Sequence, residues 1–194
     1  MRLTAIVLLL VALLGSVATA DVFRAEPNVA IPEFPAPGIT TSLQASPTCT
    51  ITDVNIALEV VHTWIGDLLF RVTHNAVTVT IVDRPGEPAG QFGCSSELAC
   101  ADPIVLDDEA SAPIETTCNP GGPFPPGSYR PNQPLTAFDG LDQAGQWDLF
   151  AQDNAGGDMG TICAWEVRTT CTPAPVEAAT WGRIKERYAE RQAK

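Results

Sequence analysis

The sequence predicts an all-β protein, an antiparallel β-sandwich, and three observations carry that reading. Between Ile31 and Cys171 the apolar, β-branched runs are short and several recur at period two. Clusters of Gly, Pro, Asn and Asp separate them. No stretch of this body repeats its apolar residues at helical spacing. Short strands without helices bury their apolar faces by stacking one sheet on another.

The elements follow in order. Arg2 supplies a positive start, Ile6 to Leu14 an apolar run too short to span a bilayer comfortably, and Ala18-Thr19-Ala20 a small-x-small cleavage site. Residues 1–20 therefore read as a signal peptide, with an uncleaved anchor as the alternative. No second apolar run of spanning length follows. Residues 21–30 read as an extended lead-in, within a proline- and alanine-rich run that continues to Pro37. Ile51 to Val61 alternates, with Val54, Ile56, Leu58 and Val60 on one face. Leu68 to Val72 and Val77 to Val82 read as strands, and Asp83-Arg84-Pro85-Gly86 as a turn. Gln91 to Pro134 has little periodicity, three cysteines and many prolines and glycines, so it reads as loop-rich. Gln146 to Gln152 and Thr161 to Thr169 close the domain, the latter with Cys163, Trp165 and Val167 expected on one face. Residues 172–176 form a proline-broken linker. Residues 177–194 favour an amphipathic helix whose Trp181, Ile184 and Tyr188 lie at i, i+3 and i+7. That stripe reads either as a face docked on its own domain or as a tag for a partner.

Composition narrows the function classes. From Asp21 to Val176 there are 20 acidic residues against five arginines, whereas Glu177 to Lys194 holds five basic and three acidic residues. An acidic body repels phosphates, so nucleic acid is not an expected partner. It suits cation binding or simple solubility. Six cysteines behind an export signal, with no close Cys/His pair of zinc-finger type, read as three disulfides. The expected location is secreted, periplasmic or at the cell surface.

Four spaced signatures say more. They are His62-Thr63-Trp64-Ile65-Gly66-Asp67-Leu68; Leu106-Asp107-Asp108-Glu109-Ala110; Gly127-Ser128-Tyr129-Arg130-Pro131 running into Leu135-Thr136-Ala137-Phe138-Asp139-Gly140; and Gly145-Gln146-Trp147-Asp148-Leu149 followed by Asp153-Asn154-Ala155-Gly156-Gly157-Asp158-Met159-Gly160 and Trp165. In this order and at this spacing the series resembles the P domain (P/Homo B) of the proprotein convertases, the subtilisin/kexin-type proteases. The resemblance covers roughly Ile31 to Cys171, so the domain is set at residues 31–171. It implies a jelly-roll-like sandwich of about eight strands, and a role as the companion that packs on a protease's catalytic domain and supports its folding, stability and calcium dependence. It also implies that Asp67, Asp107, Asp108, Asp153 and Asp158, which match acidic positions of those motifs, bind calcium. Hard cations take six to eight oxygens from carboxylates and carbonyls at loops. The competing reading makes these residues ordinary turn formers. The Trp-Gly-x-Ile-Lys start of the tail also resembles C-terminal segments of exported bacterial proteins.

Catalysis is not expected. The chain holds two histidines and no Gly-x-Ser-x-Gly elbow. His62 closes an apolar strand, where it is expected to bond backbone in the turn it introduces. The expected function is a non-catalytic, calcium-stabilised module that docks on an exported partner such as a serine protease. The alternative is a structural extracellular domain whose tail directs sorting or surface attachment.

Six cysteines allow 15 connectivities. Cys94 and Cys118 bracket the loop bearing Asp107 to Glu109, and P-domain-like bacterial sequences often carry a cysteine pair there, so Cys94–Cys118 is expected. Cys49 and Cys171 lie at the outer ends of the sandwich strands, and the first and last strands of a jelly roll commonly lie close, which favours Cys49–Cys171. Cys100–Cys163 remains by elimination, with a buried free thiol at Cys163 as the alternative.

Overall fold

A computed structural model describes residues 19–87, 90–173 and 185. The expected signal peptide lies almost wholly outside that range. So do Trp181, Ile184 and Tyr188; of the expected terminal helix the described residues include Lys185, which is helical.

Among the described residues there are ten strands: β1 (Thr19–Ala25), β2 (Val29–Ile31), β3 (Ile39–Ala45), β4 (Cys49–His62), β5 (Leu68–His74), β6 (Val77–Asp83), β7 (Ile104–Leu106), β8 (Gly127–Tyr129), β9 (Gly145–Asp153) and β10 (Gly160–Pro173). They form two sheets. One runs β1-β10-β4-β7-β8, with β2 also pairing β10; the other runs β3-β9-β5-β6. Consecutive strands repeatedly switch sheets, so the expected sandwich is present. All pairs are antiparallel except β7 with β8, which run parallel. The 3-10 turns Ile65–Asp67, Ile114–Thr116 and Leu135–Phe138 punctuate the connections. No helix among the described residues is long and apolar enough to cross a membrane.

The core lies between the sheets. Val54, Ile56, Leu58 and Val60 of β4 are all buried, as their alternation predicts. Phe70 and Val72 of β5, Val79 and Ile81 of β6, and Trp147, Leu149 and Ala151 of β9 meet them from the opposite sheet. Each fully buried side chain of this kind contributes about 1.5–3 kcal/mol relative to exposure. Trp147 satisfies its indole N–H on the Gln143 carbonyl at 3.0 Å.

The extended lead-in belongs to the sandwich: β1 pairs β10 from Thr19↔Cys171 to Ala25↔Trp165, and β2 pairs the start of β10 at Gly160↔Ile31. Phe23 and Ala25 pack against the core while Arg24 faces out to Glu59 and Glu166. One expectation needs correction: Cys163 does not share a buried face with Trp165 and Val167. A bulge between Ile162 and Ala164 breaks the alternation. Ile162, Trp165 and Val167 are fully buried, and Cys163 sits half-buried at the irregularity.

Disulfides join Cys49 to Cys171, Cys94 to Cys118 and Cys100 to Cys163, with Cα separations of 5.8, 5.7 and 6.1 Å. The first ties the start of β4 to the end of β10. The segment expected to be loop-rich also contains β7 and β8. Its Cys94–Cys118 bridge encloses β7 and the acidic loop after it.

Candidate functional site

One end of the sandwich gathers the end of β4, the start of β5, the end of β9 and the start of β10. The register sets Gly160 opposite His62 and Leu68 opposite Asp153. His62 and Asp153 are both 0% exposed. The Trp64 backbone N–H donates to His62 Nδ1 at 3.1 Å, so the ring carries its proton on Nε2. That nitrogen faces Asp153 Oδ2 at 3.4 Å, and Asp153 Oδ1 accepts the Ala155 N–H at 3.1 Å. His62 thus bonds the turn it introduces, as the sequence predicts. Gly160 permits the arrangement, because a Cβ there would lie 2.5 Å from His62 Cδ2 and 2.7 Å from the Val61 carbonyl oxygen.

Asp67 lies in the same end, 3% exposed. Its carbonyl accepts two bonds from Asn154, the backbone N–H at 2.9 Å and Nδ2 at 3.1 Å. Its carboxylate has no hydrogen-bond donor among the described residues. Burial, and then the neighbouring charge of Asp153, push its carboxyl up to about 6; Asp158 adds to this, while His62 and Arg84 oppose it. Asp158 accepts the Thr63 hydroxyl, and Glu33 Oε1 accepts the Gly157 N–H at 2.7 Å. The loops around this buried group expose apolar side chains: Phe34 is 54% exposed, Phe92 64% and Met159 75%. Trp64 is half-buried beside Phe92 and donates its indole N–H to the Phe92 carbonyl at 2.6 Å.

The five acids read from the sequence therefore divide. Asp67, Asp153 and Asp158 come together. Asp107 and Asp108 lie elsewhere, beyond β7. Asp108 accepts the N–H groups of Leu135 and Thr136 at 2.9 and 2.8 Å, capping the turn Leu135–Phe138, and Asp107 accepts the Glu109 N–H at 2.8 Å. Asp107 thus makes the local bond of a turn former, and Asp108 ties the loop after β7 to a turn 27 residues away. Sequence reading missed their neighbours Asp53 and Asp139, whose carboxyls rise through burial first and then through the surrounding acids. Asp53 left a signal, as an acid inside the alternating run of β4. Phe34, Phe92 and Met159 left none, since isolated apolar residues in loops are common.

The donor chemistry suits a hard cation, because Asp67 and Asp153 are buried carboxylates near enough for the charge of Asp153 to raise the Asp67 carboxyl. The placement does not complete a shell: among the described residues no three Cys, His, Asp or Glu side chains converge to hold an ion. Nor does either histidine offer a free base. Both nitrogens of His62 are engaged, and those of His74 meet the Gln146 and Asp142 carbonyl oxygens at 2.9 and 2.6 Å.

No family model matches the chain, and no curated protein matches it. Among solved structures it is similar to a chain in the complex of Aeromonas sobria serine protease with the chaperone ORF2, at 13% identity and a TM-score of 0.50, covering 81% of this chain and 27% of that one. It is similar to the serine protease of Aeromonas sobria at 15% identity and a TM-score of 0.50, covering 79% of this chain and 27% of that one. The chain thus spans about a quarter of the length of these neighbours. At such identity the likeness shows a shared fold.

Proposed function

We propose that this chain is an exported, non-catalytic module of the P-domain type that docks on a separate protein through the loop end bearing Phe34, Trp64, Phe92 and Met159. The observation that carries the reading is that Phe34, Phe92 and Met159 stand exposed, with Trp64 half-buried, on loops at the end of the sandwich where Gly160 pairs His62 and Ile31. Exposed apolar groups rimmed by polar residues, here Glu33 and Asp158, are characteristic of protein contact sites. The four P-domain-like signatures and the fold shared with the Aeromonas sobria protease structures favour an exported subtilisin-type serine protease as the partner. Three disulfides accord with an oxidising compartment. The engagement of every histidine nitrogen supports a non-catalytic role. The Trp181, Ile184 and Tyr188 stripe is a proposed second contact, outside the described residues.

Calcium is part of the same proposal, now confined to Asp67, Asp153 and Asp158. What supports it is the buried Asp67 carboxylate with its like-charged neighbour, which a cation neutralises.

Titration calorimetry of the mature chain against an exported subtilisin-type protease of the same cell tests the docking. The expected result is saturable binding that weakens at least tenfold in the double variant Phe34→Ser, Met159→Ser, with the melting temperature unchanged. Binding that ignores both substitutions overturns the assigned surface. Peptide hydrolysis by the pure chain, blocked by a serine-directed covalent inhibitor, overturns the non-catalytic reading.

A further inference from the structure

His74 closes β5 at the far end of the core, 1% exposed. Its ring stacks on Trp147 with centroids 3.9 Å apart and planes 2° from parallel. Nδ1 lies 2.9 Å from the Gln146 carbonyl oxygen and Nε2 lies 2.6 Å from the Asp142 carbonyl oxygen. Both partners are acceptors and cannot donate. A neutral imidazole has one N–H, so it satisfies one of these contacts and sets a lone pair against the other oxygen. The imidazolium satisfies both, and its charge lies over the indole face, a favourable place for a cation.

A second donor stands ready for the other protonation state. Asn75 Nδ2 is 3.1 Å from His74 Nε2 and 3.3 Å from the Asp142 carbonyl oxygen. A neutral ring protonated at Nδ1 keeps Gln146 and accepts from Asn75. It then has no N–H for Asp142, whose oxygen keeps only the longer Asn75 amide bond at 3.3 Å and must withdraw from the ring's lone pair.

The segment so released is a strap. Gln143 N–H donates to the Cys49 carbonyl at 3.0 Å, and its side-chain amide donates to the Pro47 carbonyl at 2.8 Å and to Asp21 of β1 at 2.9 Å. Its side-chain oxygen accepts the Thr169 hydroxyl at 2.6 Å. We propose that His74 is a proton-operated latch: doubly protonated, it holds the Asp142–Gln146 segment against β5; singly protonated, it turns to Asn75 and releases the segment at Asp142. The groups that face the ring leave its own proton as the variable. β6 brings Val77 opposite it and β9 brings Trp147. The Asp142 carboxylate is turned to the N–H groups of Cys49 and Ala144, and that of Asp148 to Ser42 and Gln146.

Nitrogen-15 NMR of histidine-labelled mature protein tests the latch between pH 5 and 9, with His74 identified by its proximity to the Trp147 ring protons. The expected result is two protonated ring nitrogens at low pH. Passage to a single Nδ1–H tautomer on raising the pH should coincide with at least tenfold faster amide exchange from Asp142 to Ala144. Asn75→Gly, which keeps a residue suited to the turn and removes the side-chain donor, should move the midpoint of that change to higher pH. A neutral ring already at pH 5, both protons retained to pH 9, titration without a change in amide exchange, or an unmoved midpoint in Asn75→Gly each overturns the latch.

Discussion

Asp67 shows what a single residue can disclose. In the sequence it is an acid after a glycine at the start of a strand, indistinguishable from many turn aspartates. In the fold it is buried beside Asp153, and its carboxyl is pushed up to about 6. The sign of the consequence follows. A carboxyl whose folded value exceeds its ordinary one binds its proton more tightly when folded. The associated stability is present below about pH 4 and is lost as the pH rises through about 6. The size is on the order of 3 kcal/mol. In the presence of a chelator, Asp67→Asn should melt several degrees above wild type at pH 7.5, and the advantage should vanish at pH 4. Millimolar calcium at pH 7.5 should raise the wild-type melting temperature and leave that of Asp67→Asn unchanged. Thermal melts across this grid check both statements; a wild type indifferent to calcium removes the cation from the proposal and leaves the proton. The P-domain-like motifs line Asp107 and Asp108 up with Asp67 along the chain, and the fold sets them apart. Which acids meet is set by strand register, and spacing along the sequence does not encode it.

At the scale of elements, the strands that alternate cleanly were legible and the irregular ones were not. β4 announces its buried face through Val54, Ile56, Leu58 and Val60, since a residue period of two maps directly onto a pleat. β10 misleads, because one bulged residue at Cys163 moves every later side chain by one position, and a bulge has no marker in a single sequence. β1 and β2 are hidden by the prolines and alanines around them, and their pairing depends on an edge of β10 far along the chain. The disulfides follow from topology, which brings distant ends together. The Cys94–Cys118 bridge closes a loop with a sequence separation of 24 residues around β7. Replacing both cysteines by serine should lower unfolding stability by roughly 3 kcal/mol. Denaturant unfolding measures that loss. Greater proteolytic sensitivity should appear between Gly93 and Thr117 first. A double variant as stable as wild type contradicts the view that the bridge organises this part of the sheet.

For the whole molecule, the sandwich was readable because period-two patterning, turn residues and the absence of helical periodicity agree with one another. The docking end was not, because it arises from four loops separated along the chain: residues 32–37, 63–64, 90–93 and 154–159. Thr19 pairs Cys171 and Pro173 pairs Cys49 at the other end of β10, away from these loops. The proposed function makes that end the contact surface for another protein. Amide hydrogen exchange of the chain, alone and saturated with an exported subtilisin-type protease of the same cell, tests it most directly. New protection is expected in those four loops, with the outer face of the β3-β9-β5-β6 sheet unchanged. Protection confined to that outer face, or none under saturating partner, would contradict it.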